Sequence, residues 1–464
     1  MPANNPQTDP LGTSTAKVSE LDADSSAETL AAAASNKFTS LAIIQGILYA
    51  ALCLLVLEAV FAATHVGESE YLMPDKVCGF TLMPNKLITQ RKEGFGSFKS
   101  NSFGMQNQEI SLSKPEGVLR IAVFGDSYVE SLHVGRESNF LQVTARQLAE
   151  KLHQPVQVLN FGVSNYSVAQ DYLRYQTLAK KFNPDLVIQV FRVEESDKLL
   201  PQASNYLSLV RPVFLVGDHG ELVYDDSHVR AFFNSSTGKK MITNHWLRHD
   251  SRLWCVIGQF SQNLTALGKS LAGKDKKENG TLNAATNAAL DIPANLATAR
   301  PAGLAKASTG ADEALSNKER YITCYWYMMD KQLESFKNEC LANGSAFMIL
   351  RTPMIRAEMD ALRVNKTESR LLAETATRIQ APVFNLDTLF KEQFGLKNDG
   401  SHFLSGGHFN GSTHEWVGQN LSDYLHEHRF ELGLAVKRQP APGEPGRPGV
   451  EAPMAPAAGN QPGK

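Results

Sequence analysis

Apolar and polar positions divide the chain into an anchor, a long patterned region and polar ends. Leu41 to Ala63, LAIIQGILYAALCLLVLEAVFAA, is apolar almost throughout and is interrupted by Gln45 and Glu58. It meets the ~20 apolar residues that a helix needs to cross a bilayer. The run also exceeds the ~7 to 15 apolar residues of a cleaved signal peptide, and no basic cluster precedes it. Residues 38–65 are therefore expected to form a transmembrane anchor. Residues 1–37 are rich in Ala, Ser, Asn, Asp and Thr, lack the large apolar side chains that a core requires, and are expected to be a disordered tail.

Residues 66–118 read as an irregular connector with a few short extended pieces, and a regular alternation follows. Leu119–Phe124, Val156–Phe161 and Asp185–Phe191 have the apolar runs of strands, while Asn139–Leu152 and Val168–Phe182 carry apolar residues at helical spacing. The order β-α-β-α-β predicts a parallel sheet with helices on its faces. A run such as DLVIQVF fits a strand buried on both sides. Arg211–Tyr224 reads as a hairpin around Gly-Asp-His-Gly. From 264 to 315 the composition shifts to Ala, Asn, Gly, Thr and Lys without sustained periodicity, which predicts a disordered insertion. Beyond it, helices are expected from Lys318 to Ala342, over Glu368–Ile379 and over Ser412–His428, with strands at Ala346–Pro353 and Val383–Leu386. The main domain is thus 119–430, and the Pro/Gly/Ala-rich end, 437–464, is expected to be disordered.

A net charge of −2 over 464 residues lacks the basic excess of a nucleic-acid binder. Lys37 precedes the span, while Glu68, Glu70 and Asp75 follow it. The positive-inside rule then puts the N-terminus in the cytoplasm and the main domain outside, in the periplasm of a bacterium. The expected location is a single pass through the inner membrane. Of five cysteines, Cys53 lies in the span. Cys78, Cys255, Cys324 and Cys340 leave two readings open, one or two disulfides or free buried thiols. Their spacing matches no metal motif, and no cofactor is expected.

The stretch LRIAVFGDSYVESL, Leu119 to Leu132, carries the chemistry. An apolar strand runs into a Gly-Asp-Ser turn and an amphipathic helix is expected to follow, which presents the Ser127 hydroxyl at a sheet edge where backbone N–H groups are free. A nucleophile and an oxyanion donor then come from one turn. Ser127 also suits a helix N-cap, and Asp126 is expected to hydrogen-bond the turn rather than to act in chemistry.

GDSY at Gly125 to Tyr128, VLNFGVSNY around Gly162, GGHFNGSTHEWVGQNLSDYL around His408, and the lead-in NSFGMQNQE at Asn101 to Glu109 together resemble the SGNH (GDSL-like) hydrolases, membrane-anchored bacterial members included. The resemblance covers roughly Asn101 to Leu425, without the insertion. It implies a flavodoxin-like three-layer α/β/α sandwich with a mainly parallel sheet, with Ser127 as nucleophile, Gly162 as a second oxyanion donor and His408 as general base. Two blocks depart from the family. Glu195, in RVEESD, stands where the family has an Asn whose amide donates to the oxyanion, and an ionised carboxylate cannot donate. Arg192 is a candidate replacement donor. Ser405 stands where an Asp commonly orients the base. Asp399-Gly400-Ser401-His402 spells Asp-x-x-His, so His402 is the alternative base; His408 is preferred because Phe409-Asn410 and the helix after it match better. Asp399 is one candidate to orient His408. The implied activity is a serine esterase or O-acyltransferase, passing through an acyl-enzyme, on ester groups such as O-acetyl of envelope polysaccharide. The competing reading is a degraded SGNH-like module that binds or scaffolds. The expected partners are the membrane, through one helix, and envelope polysaccharide, with no nucleic acid.

Overall fold

The computed structural model describes residues 17–434 apart from 65, 67–69, 92, 193–197, 200–206, 218, 245–246, 248–250, 272–316, 354–358, 396–400 and 406. Two compact units make up the chain, one of residues 1–70 with 245–276 and one of 71–244 with 277–464.

The first unit holds α1 (Lys17–Thr64) and a second helix, Arg252–Leu271. Within α1, Thr39–Thr64 is long and apolar enough to cross a membrane. The helix starts at Lys17, inside the segment expected to be a disordered tail. Alanines at 23, 27 and 31–34 favour helix there.

The second unit opens with two hairpins, β1 (Leu72–Asp75) with β2 (Gly79–Leu82), and β3 (Leu87–Gln90) with β4 (Gly96–Lys99). Then come β5 (Leu119–Phe124), α2 (Ser127–Glu130), α3 (Phe140–Leu152), β6 (Val156–Asn160), α4 (Val168–Thr177) and β7 (Leu186–Phe191). An excursion follows, with β8 (Val213–Val216), β9 (Leu222–Asp225), α5 (Ser227–Asn234) and α6 (Ser236–Thr243). Numbering passes through α7, the Arg252–Leu271 helix of the first unit, to α8 (Asn317–Ala342), β10 (Ala346–Arg351), α9 (Met359–Ile379), β11 (Val383–Asn385), α10 (Leu386–Phe394) and α11 (Gly411–Glu427). Because α7 runs to Leu271, the first residues of the expected disordered insertion are helical, carried by apolar spacing that ends only there. The remaining insertion and the 437–464 end lie outside the described residues.

The central sheet has the order β11-β10-β7-β5-β6, all parallel. Numbered along the sheet-forming strands this is 2-1-3-4-5, the flavodoxin-like order, whose switch point lies at the carboxyl ends of β5 and β7. Alternation along the buried strands feeds two layers. Ile121, Val123, Ile188 and Leu350 pack with Phe140, Leu148, Val417 and Leu421 of α3 and α11. Ala122, Phe124, Val187 and Ile349 pack with Tyr175, Phe336 and Leu372 of α4, α8 and α9. Ser127 follows β5 directly, so the sheet delivers it to the switch point. Among the described residues Cys53, Cys78 and Cys340 carry free thiols. Burial pushes the thiol of Cys78 up to about 12, which makes it an inert core group.

Candidate active site

The Gly125–Ser127 turn is held from below by Asp126. This buried carboxylate accepts from the Tyr128 N–H at 3.1 Å, from Arg192 Nε at 2.8 Å and from Lys198 Nζ at 3.0 Å. Burial alone would raise its pKa, but Lys198 and Arg192 hold it well below the usual carboxylate range. Arg192 is thus bonded to the turn, which assigns it a positioning role. Ser127 is the first residue of α2 and half-buried.

His408 reaches Ser127 from the opposite end of the chain. Phe403 and Phe409 form an antiparallel bridge, Leu404 N–H donates to the His408 carbonyl at 2.8 Å, and Gly407 closes the turn at φ +88°. The Tyr128 hydroxyl donates to the Gly407 carbonyl at 2.6 Å, fastening this turn onto α2. His408 Nε2 then lies 2.8 Å from Ser127 Oγ, hydrogen-bond distance for a general base and its nucleophile. His402, the alternative base, lies against Phe394 with ring centroids 4.2 Å apart and planes tilted by 44°, while the Ser127 hydroxyl is met by His408. Asp399 and Glu195 lie outside the described residues.

The other ring nitrogen, His408 Nδ1, is bonded by Glu93 Oε2. Glu93 sits between β3 and β4, in the segment that the sequence pattern leaves as connector. Glycines on either side of Phe95 allow its approach. A Cβ on Gly94 would stand 2.6 Å from the His133 carbonyl oxygen, and one on Gly96 2.2 Å from that of Leu132. A bare backbone therefore lies against residues 132–134 and brings Glu93 to the imidazole. Ser127, His408 and Glu93 form an unbroken serine–histidine–carboxylate chain.

Behind His408 lie two more histidines. His133 is 4.9 Å from the His408 ring, centroid to centroid, and its Nε2 is 3.2 Å from His414 Nε2. His414 Nδ1 accepts from the Phe140 N–H at 3.3 Å. A neutral His414 therefore carries its proton on Nε2 and donates it to His133. Burial and neighbouring His408 push the His133 pKa down to about 4, and burial holds His414 well below its ordinary value. The pair stays neutral, and His133 packs the His408 ring without adding charge.

Gly162 occupies a different role from the expected one. Its N–H donates to Asn160 Oδ1 at 3.0 Å, so that N–H is engaged within its own turn. The residue is a glycine for space: a Cβ there would stand 2.4 Å from Glu130 N and 2.6 Å from Val129 Cβ. Gly162→Ala is expected to cost about 1–3 kcal/mol of stability by overpacking, read as a lower urea midpoint; an unchanged midpoint would refute the close approach. Asn160 also donates to the Val129 carbonyl at 2.8 Å, and its N–H donates to Asn107 Oδ1 at 2.7 Å. The Asn101–Glu109 lead-in is thereby tied, through Asn107, to the end of β6. Three residues further on, Asn165 adopts φ +66°. Among the described residues neither its N–H nor that of Ser127 makes a hydrogen bond.

Glu130 closes the same region. It is fully buried, and its Oε2 bonds Ser164 Oγ. Burial, with a smaller push from Asp126, raises its pKa to about 7, against hydrogen bonds from Ser164 and the charge of Arg174. The folded state therefore binds a proton more tightly than the unfolded chain. Stability from this group is present below about pH 4.5 and is lost as pH rises toward 7. Glu130→Gln is expected to flatten that fall in a urea-midpoint profile from pH 4.5 to 8, and an identical slope in both proteins would contradict it.

No family model and no curated protein matches the chain. Among solved structures it is similar to the lipase/acylhydrolase from Enterococcus faecalis, at 12% identity over 67% of this chain and 96% of that one, with a TM-score of 0.33. It is also similar to the acetyl xylan esterase AlAXEase, at 13% identity over 66% and 100%, with a TM-score of 0.31. A two-domain esterase described as active on acetylated mannans gives 12% identity over 70% of this chain and 53% of that one, with a TM-score of 0.33. At such TM-scores the likeness carries no weight for chemistry. The chemical reading rests on the contacts of Ser127, His408 and Glu93.

Proposed function

We propose that the protein is a membrane-anchored serine esterase of the SGNH type. The observation that carries this reading is the 2.8 Å contact between Ser127 Oγ and His408 Nε2, with Glu93 on the far side of the ring. Ser127 Oγ attacks the ester carbonyl while His408 Nε2 takes its proton. Glu93 keeps the remaining ring proton on Nδ1 and stabilises the imidazolium. The oxyanion is received by the N–H groups of Ser127 and Asn165. Collapse of the tetrahedral intermediate returns the proton from His408 to the leaving alcohol, and water, activated the same way, releases the acid.

The positive φ of Asn165 gives this reading a test of its own. Asn165→Gly keeps the left-handed conformation and is expected to keep kcat within a few-fold. Asn165→Val strains it and is expected to lose about 10²-fold, the cost of one oxyanion donor. Equal activity of the two variants would remove Asn165 from the mechanism.

The substrate side of the proposal is an acyl ester, O-acetyl in particular, on polysaccharide of the cell envelope. Half-buried Ser127 and His408 suit an ester displayed on a polymer, and the membrane-length helix directly ahead of this unit suits a surface-bound location. The anchor is proposed to lie in the inner membrane with the catalytic unit in the periplasm. Purified full-length protein is expected to release acetate from O-acetylated glycan. With a sugar acceptor present, acetate moved to the acceptor in place of free acetate would make it an O-acyltransferase. No acyl release from glycan or 4-nitrophenyl acetate, at a correctly folded Ser127, would leave the binding-module reading.

A further inference from the structure

We propose that α7 is an interfacial helix, lying beside α1 in the membrane–water boundary with its apolar face in lipid. This rests on reading α1 as a membrane-crossing helix. At 100° per residue, Leu253, Val256, Ile257, Phe260 and Leu264 fall within an arc of about 100°, and the sequence continues the spacing through Leu267 to Leu271. In the structure Ile257 is 53% exposed, Phe260 64% and Leu264 52%.

The start of α7 is fixed to α1. Glu58 Oε2 accepts from Ser251 Oγ at 2.8 Å and from Leu253 N–H at 3.0 Å, and Glu58 Oε1 accepts from Arg252 N–H at 2.5 Å. Glu58 belongs to the 26-residue span Thr39–Thr64. At ~1.5 Å per residue that span is about 39 Å long, and the hydrocarbon core is about 30 Å. A centred span overhangs the core by roughly three residues at each end, so Glu58 lies about 5 Å inside the boundary near Phe61. An ionised carboxylate at that depth requires donors, and the first N–H groups of α7 supply them. The helix therefore begins about 5 Å deep, within the ~5–10 Å to which an amphipathic helix buries its apolar face. The polar positions Gln259, Gln262, Asn263 and Lys269 rule out α7 as a second crossing, because they would sit in hydrocarbon.

Photocrosslinking of the full chain in phosphatidylcholine vesicles tests this. The photoreactive residue p-benzoylphenylalanine is placed at the position of Phe260, at Gly258 on the opposite face, where an added Cβ meets nothing within 4 Å, and at Leu48 within α1. Lipid adducts are counted by mass spectrometry. The interfacial position predicts adduct at 260 within about twofold of that at 48 and on the order of tenfold above that at 258. Equal adduct at 260 and 258 overturns the proposal, as does crosslinking of 260 to this chain's own peptides or to a second copy. Lipid adduct at 48 without adduct at 260 overturns it while leaving α1 in the membrane. Loss of lipid adduct at 48 removes the premise and the proposal together.

Discussion

Ser127→Ala is expected to lower kcat on 4-nitrophenyl acetate by about 10⁶-fold, the loss that follows removal of the nucleophile from a serine triad. The magnitude follows from the covalent route. Without Oγ no acyl-enzyme forms, and His408 has no hydroxyl 2.8 Å away from which to take a proton. The substitution removes one atom from a half-buried site, and the Asp126 contacts to Tyr128, Arg192 and Lys198 remain. An unchanged unfolding midpoint beside lost activity would therefore separate chemistry from folding. Activity within tenfold of the parent would place the reaction elsewhere.

Glu93→Gln is the second large effect. The amide keeps the size of the side chain but can donate to His408 Nδ1 and select the wrong tautomer, leaving Nε2 protonated and unable to accept from Ser127. The corresponding change in a serine-protease triad costs about 10⁴-fold, and a loss of that order in kcat is expected here with KM little changed. Glu93→Asp, which retains the charge on a shorter stem, is expected to recover part of the loss. If Glu93→Gln behaves as the parent, the orienting group is another one.

Much of this site was legible in the sequence because its parts are local. The apolar run Leu119–Phe124 must be a strand buried on both faces, and Gly125-Asp126-Ser127 must turn at its end. His408 likewise follows from a short segment, since Phe409-Asn410 and the helix after it lie next to it in the chain. Glu93 was not legible, since it meets a histidine 315 positions later and no spacing rule connects them. The glycines at 94 and 96, flanking an exposed Phe95, were the available signal of a backbone that must approach another. Gly162 was placed at the right turn with the wrong role, because whether its N–H faces a substrate or the Asn160 side chain depends on a hydrogen bond that periodicity cannot express. Helices α5, α6 and α10 were missed for a related reason. Each spans nine residues or fewer, too short for apolar spacing to stand out.

The most direct measurement is the rate at which a fluorophosphonate probe forms an adduct with the full-length protein, with the labelled peptide mapped by mass spectrometry. The triad predicts one adduct, on Ser127, absent in Ser127→Ala and His408→Ala and formed far more slowly in Glu93→Gln. An adduct that survives Ser127→Ala, or one that forms on Ser127 equally fast with and without the Glu93 carboxylate, would contradict it.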